Sequence, residues 1–281
     1  AGPFLQVQLG ALKASDPGAV YTRLRGDKID STWLLEMNNS GYTLRGAAQK
    51  QGKKMRAFIL GVFATLLSVS VSAEPVMTLI TLNTDDPAGY RDWAMNSAET
   101  IGEANAAMAG GLCSPRAGAE EMGDLYLWTL FDSQKTAWSA DPMNPAVAAE
   151  VAKIPVNRTV RDWDTYRVVR QADTLSEKSY AWNIMVKTSD TGAYLTAIDS
   201  LYAAMQDNGF DDISMQVFAA DTGRWAGSIM VSMSASSPSR LGEAMDARTE
   251  SWFSEILAGL GSIREYQYGW GLACETFYAA Q

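Results

Sequence analysis

From residue 77 onward, hydrophobic and polar positions recur with two different periods. Period-two runs rich in β-forming residues, such as MTLITLN at Met77–Asn83 and DLYLWTLF at Asp124–Phe131, predict strands. Runs with apolar residues every three or four positions predict helices, and Thr191–Gln206 places Tyr194 and Ile198 on one face. The two periods alternate along the chain, which predicts a mixed α and β architecture.

The predicted elements follow the order β-α-β-β-α-β twice. Pro115 restricts its strand to an edge position, and Pro142 and Pro145 interrupt the second helix. The first half comprises strand Met77–Asn83, a helix from Pro87 to Gly110, strands Leu112–Ala119 and Asp124–Phe131, helix Gln134–Lys153 and strand Arg161–Arg170. The second half comprises strand Tyr180–Val186, helix Thr191–Gln206, strands Asp212–Ala220 and Trp225–Ser234, helix Pro238–Leu260 and strand Arg264–Thr276.

The two halves also share short sequence matches. The segment TDDPAGY at Thr84–Tyr90 matches TSDTGAY at Thr188–Tyr194, at an offset of about 104 residues. The triplets RDW at 161–163 and REY at 264–266 match at nearly the same offset. Two matches at one offset indicate an internal duplication.

Two units of this element order are two ferredoxin-like folds. In element order, repeat length and tandem fusion, residues 76–278 resemble the dimeric α/β-barrel superfamily, which includes the antibiotic-biosynthesis-monooxygenase and NIPSNAP-like families. The resemblance implies an α+β fold in which two four-stranded sheets join edge to edge into a pseudo-dimeric barrel. Residues 74–172 would form the first repeat and residues 173–281 the second.

The resemblance gives the two cysteines a possible role. In such barrels the second strand of one half pairs with the fourth strand of the other, and Cys113 and Cys274 lie on those two predicted strands. The implied hypothesis is a disulfide across the barrel seam; the alternative is two free buried thiols. Two distant cysteines are too few for a cysteine metal site.

Residues 55–73 have the three parts of a cleavable signal peptide. Basic residues around Met55 precede the apolar run AFILGVFATLLSVSV, and the small residues of Val71-Ser72-Ala73 follow it. The alternatives are a buried core helix or an uncleaved anchor, although the run is shorter than the roughly 20 residues of a membrane span. The pattern predicts a periplasmic or secreted bacterial protein that begins at Glu74, with no membrane association after cleavage.

Residues 1–54 are polar, Gly-rich and Lys/Arg-rich, and we interpret them as an upstream or disordered segment that is not part of the natural protein. The alternatives are a long basic leader, which could start at Met37, and a disordered cytoplasmic tail. Residues 74–281 hold 14 Lys and Arg against 28 Asp and Glu, a net charge of about −14. That acidity argues against a nucleic-acid partner.

The chain contains no histidine. This excludes a Ser-His-Asp triad, a histidine-ligated zinc site and a haem with a proximal histidine. No metal and no cofactor is therefore expected. Separately, the protein is predicted to be a monomer or a homodimer.

Aromatic residues on predicted strands are candidates for a ligand pocket, although aromatic residues also fill ordinary cores. The candidate ligand-binding residues are Trp128, Trp163, Trp182, Asn183, Tyr268 and Arg161. The antibiotic-biosynthesis monooxygenases use Asn, Trp, Tyr and Arg, often with a His that this chain lacks, so no catalytic residue is carried over from them.

Three functions remain open from the sequence. The first is an exported protein that binds a small apolar or aromatic molecule. The second is a cofactor-independent monooxygenase-like enzyme, and the third is a structural or interaction protein whose barrel is filled by its own side chains. A solid aromatic interior would favour the third, a cavity with a paired Asn and Arg the second, and an apolar cavity the first.

Overall fold

A computed structural model describes residues 73–172 and 175–281 in full, and the backbone of four strands between residues 6 and 46. Residues 1–71 and 72–281 form two separate compact units. In the first unit, the antiparallel strands β1, β2, β3 and β4 pair in chain order. Their bounds are Gln6–Ala11, Val20–Gly26, Ile29–Asn38 and Gly41–Gly46.

This sheet differs from the sequence expectation, which assigns no regular structure to residues 1–54. The run VYTRLRG of β2 does alternate with the period of a strand. The sequence expectation gives more weight to the polar composition of the segment than to this alternation. The predicted signal peptide lies outside the described residues apart from Ala73. None of the helices in the described part of the chain is long and apolar enough to cross a membrane.

The first half of the larger unit has the predicted order of elements. These are β5 Val76–Thr84, α1 Pro87–Ala104, β6 Ala109–Ala117, β7 Asp124–Phe131, α2 Gln134–Ser139, α3 Pro145–Val151 and β8 Arg158–Arg170. The predicted interruption around Pro142 and Pro145 separates α2 from α3, and the Asn144 side chain caps the start of α3.

The second half repeats the order with one break. Its elements are β9 Lys178–Thr188, α4 Thr191–Asp207, β10 Ser214–Ala220, β11 Ile229–Ala235, α5 Pro238–Asp246, a 3₁₀ turn Ala247–Thr249, α6 Ser251–Gly259 and β12 Arg264–Ala279. The single helix predicted over Pro238–Leu260 is wrong. Arg248 Nε and Thr249 Oγ1 donate to the carbonyls of Met245 and Asp246, which ends α5 before α6 begins.

The two halves are structural repeats at the matched positions. Asp86 caps α1 by accepting from Gly89 N, and Asp190 caps α4 by accepting from Ala193 N. One turn later, Tyr90 and Tyr194 are both buried beneath their helices. The sequence match therefore encodes the same strand-to-helix turn in both halves.

The eight strands of this unit close into an antiparallel barrel in the order β10-β11-β9-β12-β6-β7-β5-β8. Each half supplies a sheet with the strand order of a ferredoxin-like fold, which confirms the predicted α+β fold class. The sheets join where β12 pairs with β6 and β8 pairs with β10, the fourth strand of one half beside the second of the other. Pro115 lies beyond the residues of β6 that pair with β7, so it has a strand neighbour on one side only.

Cys113 and Cys274 are register partners at the β6–β12 seam and form a disulfide. Inside the barrel, buried side chains from all eight strands meet; on the outside, the helices pack against the opposite faces of the same strands. Successive residues of each strand therefore point alternately to the barrel interior and to the helix layer.

Candidate functional site

A cavity of about 150 Å³ lies inside the barrel. It occupies the end of the barrel where Met77 pairs with Leu130 and Ser214 pairs with Ser234. Ala172 and Leu175, from the segment that joins the two halves, also line it. The cavity is thus lined by both repeats and by their connection.

The first half supplies an apolar wall. Along β7, Tyr126, Trp128 and Leu130 face inward at alternate positions, and Met77 and Leu79 of neighbouring β5 complete the surface. Across the seam, the wall continues through β12. Its further members are Trp270, Leu272 and the Cys113–Cys274 disulfide.

The Trp128 ring depends on a glycine of the adjacent strand. A Cβ placed on Gly111 would lie 2.7 Å from the Trp128 ring and would overlap the Glu275 carbonyl oxygen. No other residue type fits there without moving the ring or the seam, so Gly111 allows the Trp128 ring to lie at this position.

The second half supplies a polar wall on three adjacent strands. These strands also place Ala181, Phe218 and Met230 in the lining, and Ser176 and Thr276 add two hydroxyl groups beside them. The hydrogen-bonding side chains on the three strands are Ser179, Asn183, Ser214, Gln216, Ser232 and Ser234. Ser232 pairs directly with Asn183 across β11 and β9, and both residues are buried. No Asp, Glu, Lys or Arg is among the described residues that line the cavity.

Asn183 has an unsatisfied hydrogen-bond acceptor. The residue is 7% exposed, and its Nδ2 donates to Met230 Sδ over 3.8 Å. Among the described residues, its buried Oδ1 has no hydrogen-bond partner. A thioether sulfur accepts hydrogen bonds, which orients the amide nitrogen toward Met230 and leaves the oxygen without a donor.

The opposite end of the barrel is closed by ion pairs. The fully buried carboxylate of Asp124 accepts from Arg161 at 2.8 Å, from Asn83 Nδ2 at 3.0 Å and from the backbone of Glu121 at 3.0 Å. Arg161 also contacts the Glu121 carboxylate at 3.0 Å. Arg224 pairs with Glu120 beside this group.

Asp164 lies at this closed end and is only 4% exposed. Burial, with the neighbouring charge of Asp162, raises the pKa of the Asp164 carboxyl above its ordinary value, and Arg224 opposes that rise. A Cβ at Gly223 would overlap the Asp164 carboxylate, and Gly223 has a φ of +75°. Glycine is therefore needed there for both the conformation and the close approach.

Two of the predicted site residues, Trp128 and Asn183, line the cavity. Tyr268 is inside the barrel toward the closed end, where it stacks on Trp225 with ring centroids 6.0 Å apart. Arg161 is held in the ion pairs of that end. These side chains therefore divide between the two ends of the barrel.

Trp163 and Trp182 lie on the outer face of the barrel and do not line the cavity. Trp163 is 55% exposed, and Trp182 packs in the helix layer with the Arg248 guanidinium 4.6 Å from its ring. Trp182 precedes Asn183 on one strand, and adjacent strand residues face opposite sides. Tyr126 and the serines were not predicted from the sequence, although period two aligns Tyr126 with Trp128.

Among the residues the structure describes, no group of three or more Cys, Asp or Glu side chains is arranged to hold a metal ion. The polar wall offers hydroxyl and amide groups, which can hydrogen-bond a neutral molecule. The arrangement can therefore hold an uncharged molecule between an apolar and a polar wall.

No protein-family model and no curated protein sequence matches this chain. Among solved structures, a candidate monooxygenase from Lactobacillus acidophilus NCFM is similar over 74% of this chain and 96% of its own, at 11% identity and a TM-score of 0.49. A candidate monooxygenase from Fusobacterium nucleatum covers 73% and 94%, at 9% identity and 0.48. A chlorite dismutase variant from Candidatus Nitrospira defluvii covers 75% and 94%, at 9% identity and 0.47. The fold assignment rests on the strand order and pairing of this chain.

Proposed function

We propose that this protein binds a small apolar or aromatic molecule inside its barrel. The observation that carries the proposal is the cavity of about 150 Å³, lined by both repeats and walled on one side by aromatic and other apolar side chains. Apolar cavities of this size hold a single aromatic ring such as benzene. Drug-sized ligands need roughly 300 Å³ or more, so the part of the ligand that this space holds has about one ring.

The geometry favours binding over the two other functions. A structural barrel filled by its own side chains would leave no such space. A cofactor-independent oxygenase needs groups that move a proton from the substrate. Arg161 is at the closed end, and burial raises the pKa of Tyr126, which keeps this cavity residue protonated and makes it a poor base.

The proposal is tested by filling the cavity. Ala181 lines it and is 4% exposed, so Ala181→Leu places three extra carbons in the space; Ala203→Leu on the exposed surface of α4 is the matched control. Native mass spectrometry of protein purified from its own host is expected to show a bound small molecule in the parent and in Ala203→Leu, and none in Ala181→Leu. An equal added mass in all three proteins would contradict binding in this cavity.

We also propose that the mature chain begins at Glu74 and works outside the cytoplasm. The signal-peptide pattern supports this, and a disulfide is more typical of oxidising compartments than of the cytoplasm. Cell fractionation followed by N-terminal sequencing tests it. The expected result is an exported protein with the sequence Glu-Pro-Val at its start; a cytoplasmic protein that retains residues 55–73 would refute it.

A further inference from the structure

We propose that the ligand is a neutral single-ring molecule that carries a hydrogen-bond donor, such as a phenol, and that Asn183 Oδ1 accepts that hydrogen bond. This inference rests on the proposed binding function and specifies the chemical class of the ligand. It follows from three properties of the cavity: its division into two walls, the unsatisfied acceptor on one wall, and the uncharged lining.

The two walls determine which part of the ligand is apolar and which part is polar. The strands of the first half contribute only apolar and aromatic side chains, with Tyr126 and Trp128 as the largest. Six of the eight aliphatic hydroxyl and amide side chains in the lining come from β9, β10 and β11 of the second half, where they alternate with the apolar Ala181, Phe218 and Met230. A molecule with one apolar face and one polar edge matches both walls at once, whereas a hydrocarbon would leave the polar wall without partners.

The acceptor at Asn183 specifies the type of polar group. A buried carbonyl oxygen without a donor costs free energy, and such groups are rare in folded proteins unless a ligand or water satisfies them. Asn183 Nδ2 has a partner in Met230, whereas Oδ1 has none among the described residues, so the group that Asn183 offers to a ligand is Oδ1, an acceptor. The complementary ligand group is a donor such as a hydroxyl or an N–H.

The lining sets the charge of the ligand. None of the described side chains that line the cavity is ionisable near neutral pH, because the two cysteines are joined in a disulfide and burial raises the pKa of Tyr126 above its ordinary value. A carboxylate or an ammonium group would lose its hydration without gaining a counter-charge. The ligand is therefore uncharged at neutral pH.

The test compares phenol with toluene, which has the same ring and a methyl group in place of the hydroxyl. Titration calorimetry gives the ratio of the toluene Kd to the phenol Kd in the parent protein, in Asn183→Leu and in Asn96→Leu. Leu has the same number and branching of side-chain heavy atoms as Asn and lacks the acceptor, and Asn96 is exposed on α1. Loss of one hydrogen bond in a buried site is expected to lower the ratio about tenfold in Asn183→Leu and to leave it unchanged in Asn96→Leu.

Two additions keep the experiment decisive. Asn183→Ala also removes the acceptor and serves if Asn183→Leu does not fold, and Ala181→Leu shows whether the probes occupy the cavity. A ratio that is the same within about twofold in the parent and both Asn183 variants, with binding still blocked by Ala181→Leu, would overturn the inference and leave the binding function intact.

If neither phenol nor toluene binds to the parent, both the inference and the proposed binding function are overturned. Tighter binding of benzoate than of phenol would overturn the inference that the ligand is neutral.

Discussion

Cys113 of the first repeat lies directly opposite Cys274 of the second at the β6–β12 seam, and their sulfurs are bonded although 161 residues separate them along the chain. The bond closes a loop that includes most of both repeats. In the chain-entropy account, a cross-link over such a loop destabilises the unfolded chain because it removes a large part of its conformational freedom.

We therefore expect Cys113→Ala combined with Cys274→Ala to lower the free energy of unfolding by about 2–5 kcal/mol. Urea denaturation of the parent and the double variant measures this change. Because the chain has only these two cysteines, alkylation of the unfolded parent is expected to add no mass before reduction and two alkyl groups after it. Equal stability of the parent with and without reductant would contradict the prediction.

The sequence predicts the repeat, the order of elements and the strands at the seam, because period-two runs and the matched Tyr90 and Tyr194 turns are local signals. It does not show which face of a strand points inward. Trp182 and Asn183 illustrate the reason: the barrel interior and the helix layer are both apolar, so either face of β9 could contact either layer. The assignment of inner and outer faces depends on how the two sheets curl together, which only the closed barrel determines.

The unsatisfied oxygen of Asn183 predicts a conflict between stability and binding. Asn183→Leu removes a buried acceptor that has no partner among the described residues and adds apolar contacts to the barrel interior. The variant is expected to be more stable than the parent by about 1 kcal/mol in the absence of ligand. Thermal unfolding of ligand-free samples measures the difference, with Asn96→Leu as the control. A less stable Asn183→Leu would show that the amide has a structural role.

The ion pairs at the closed end predict that the stability of the fold depends strongly on Arg161. Arg161→Leu leaves the buried Asp124 carboxylate without its counter-charge, which is expected to cost about 3 kcal/mol or more. The matched control is Arg167→Leu on the same strand, where the arginine pairs with Asp221 at the surface and the change is expected to stay below about 1 kcal/mol. Urea denaturation of both variants separates the two cases, and equal losses would contradict the burial argument.

The raised pKa of Asp164 predicts an effect of pH with a definite sign. Because burial raises the pKa of this carboxyl in the folded protein, the folded state holds the proton more tightly than the unfolded chain does. The stability that the Asp164 carboxyl contributes is fully present below its pKa in the unfolded chain and is lost as the pH rises through its pKa in the folded protein. Asp164→Asn, which is neutral at every pH and of the same size beside Gly223, should therefore gain stability over the parent as the pH rises.

Asp212 provides a control of opposite sign, because its hydrogen bond with Arg240 lowers the pKa of the carboxyl. Its contribution is present above the unfolded pKa and is lost as the pH falls through the lowered folded value, so Asp212→Asn should be less stable than the parent at neutral pH and lose that deficit in acid. Urea denaturation at about pH 3, 5 and 7 measures both variants against the parent. If the stability difference for Asp164→Asn shrinks as the pH rises, the carboxylate is stabilised in the fold and the burial argument for the closed end fails.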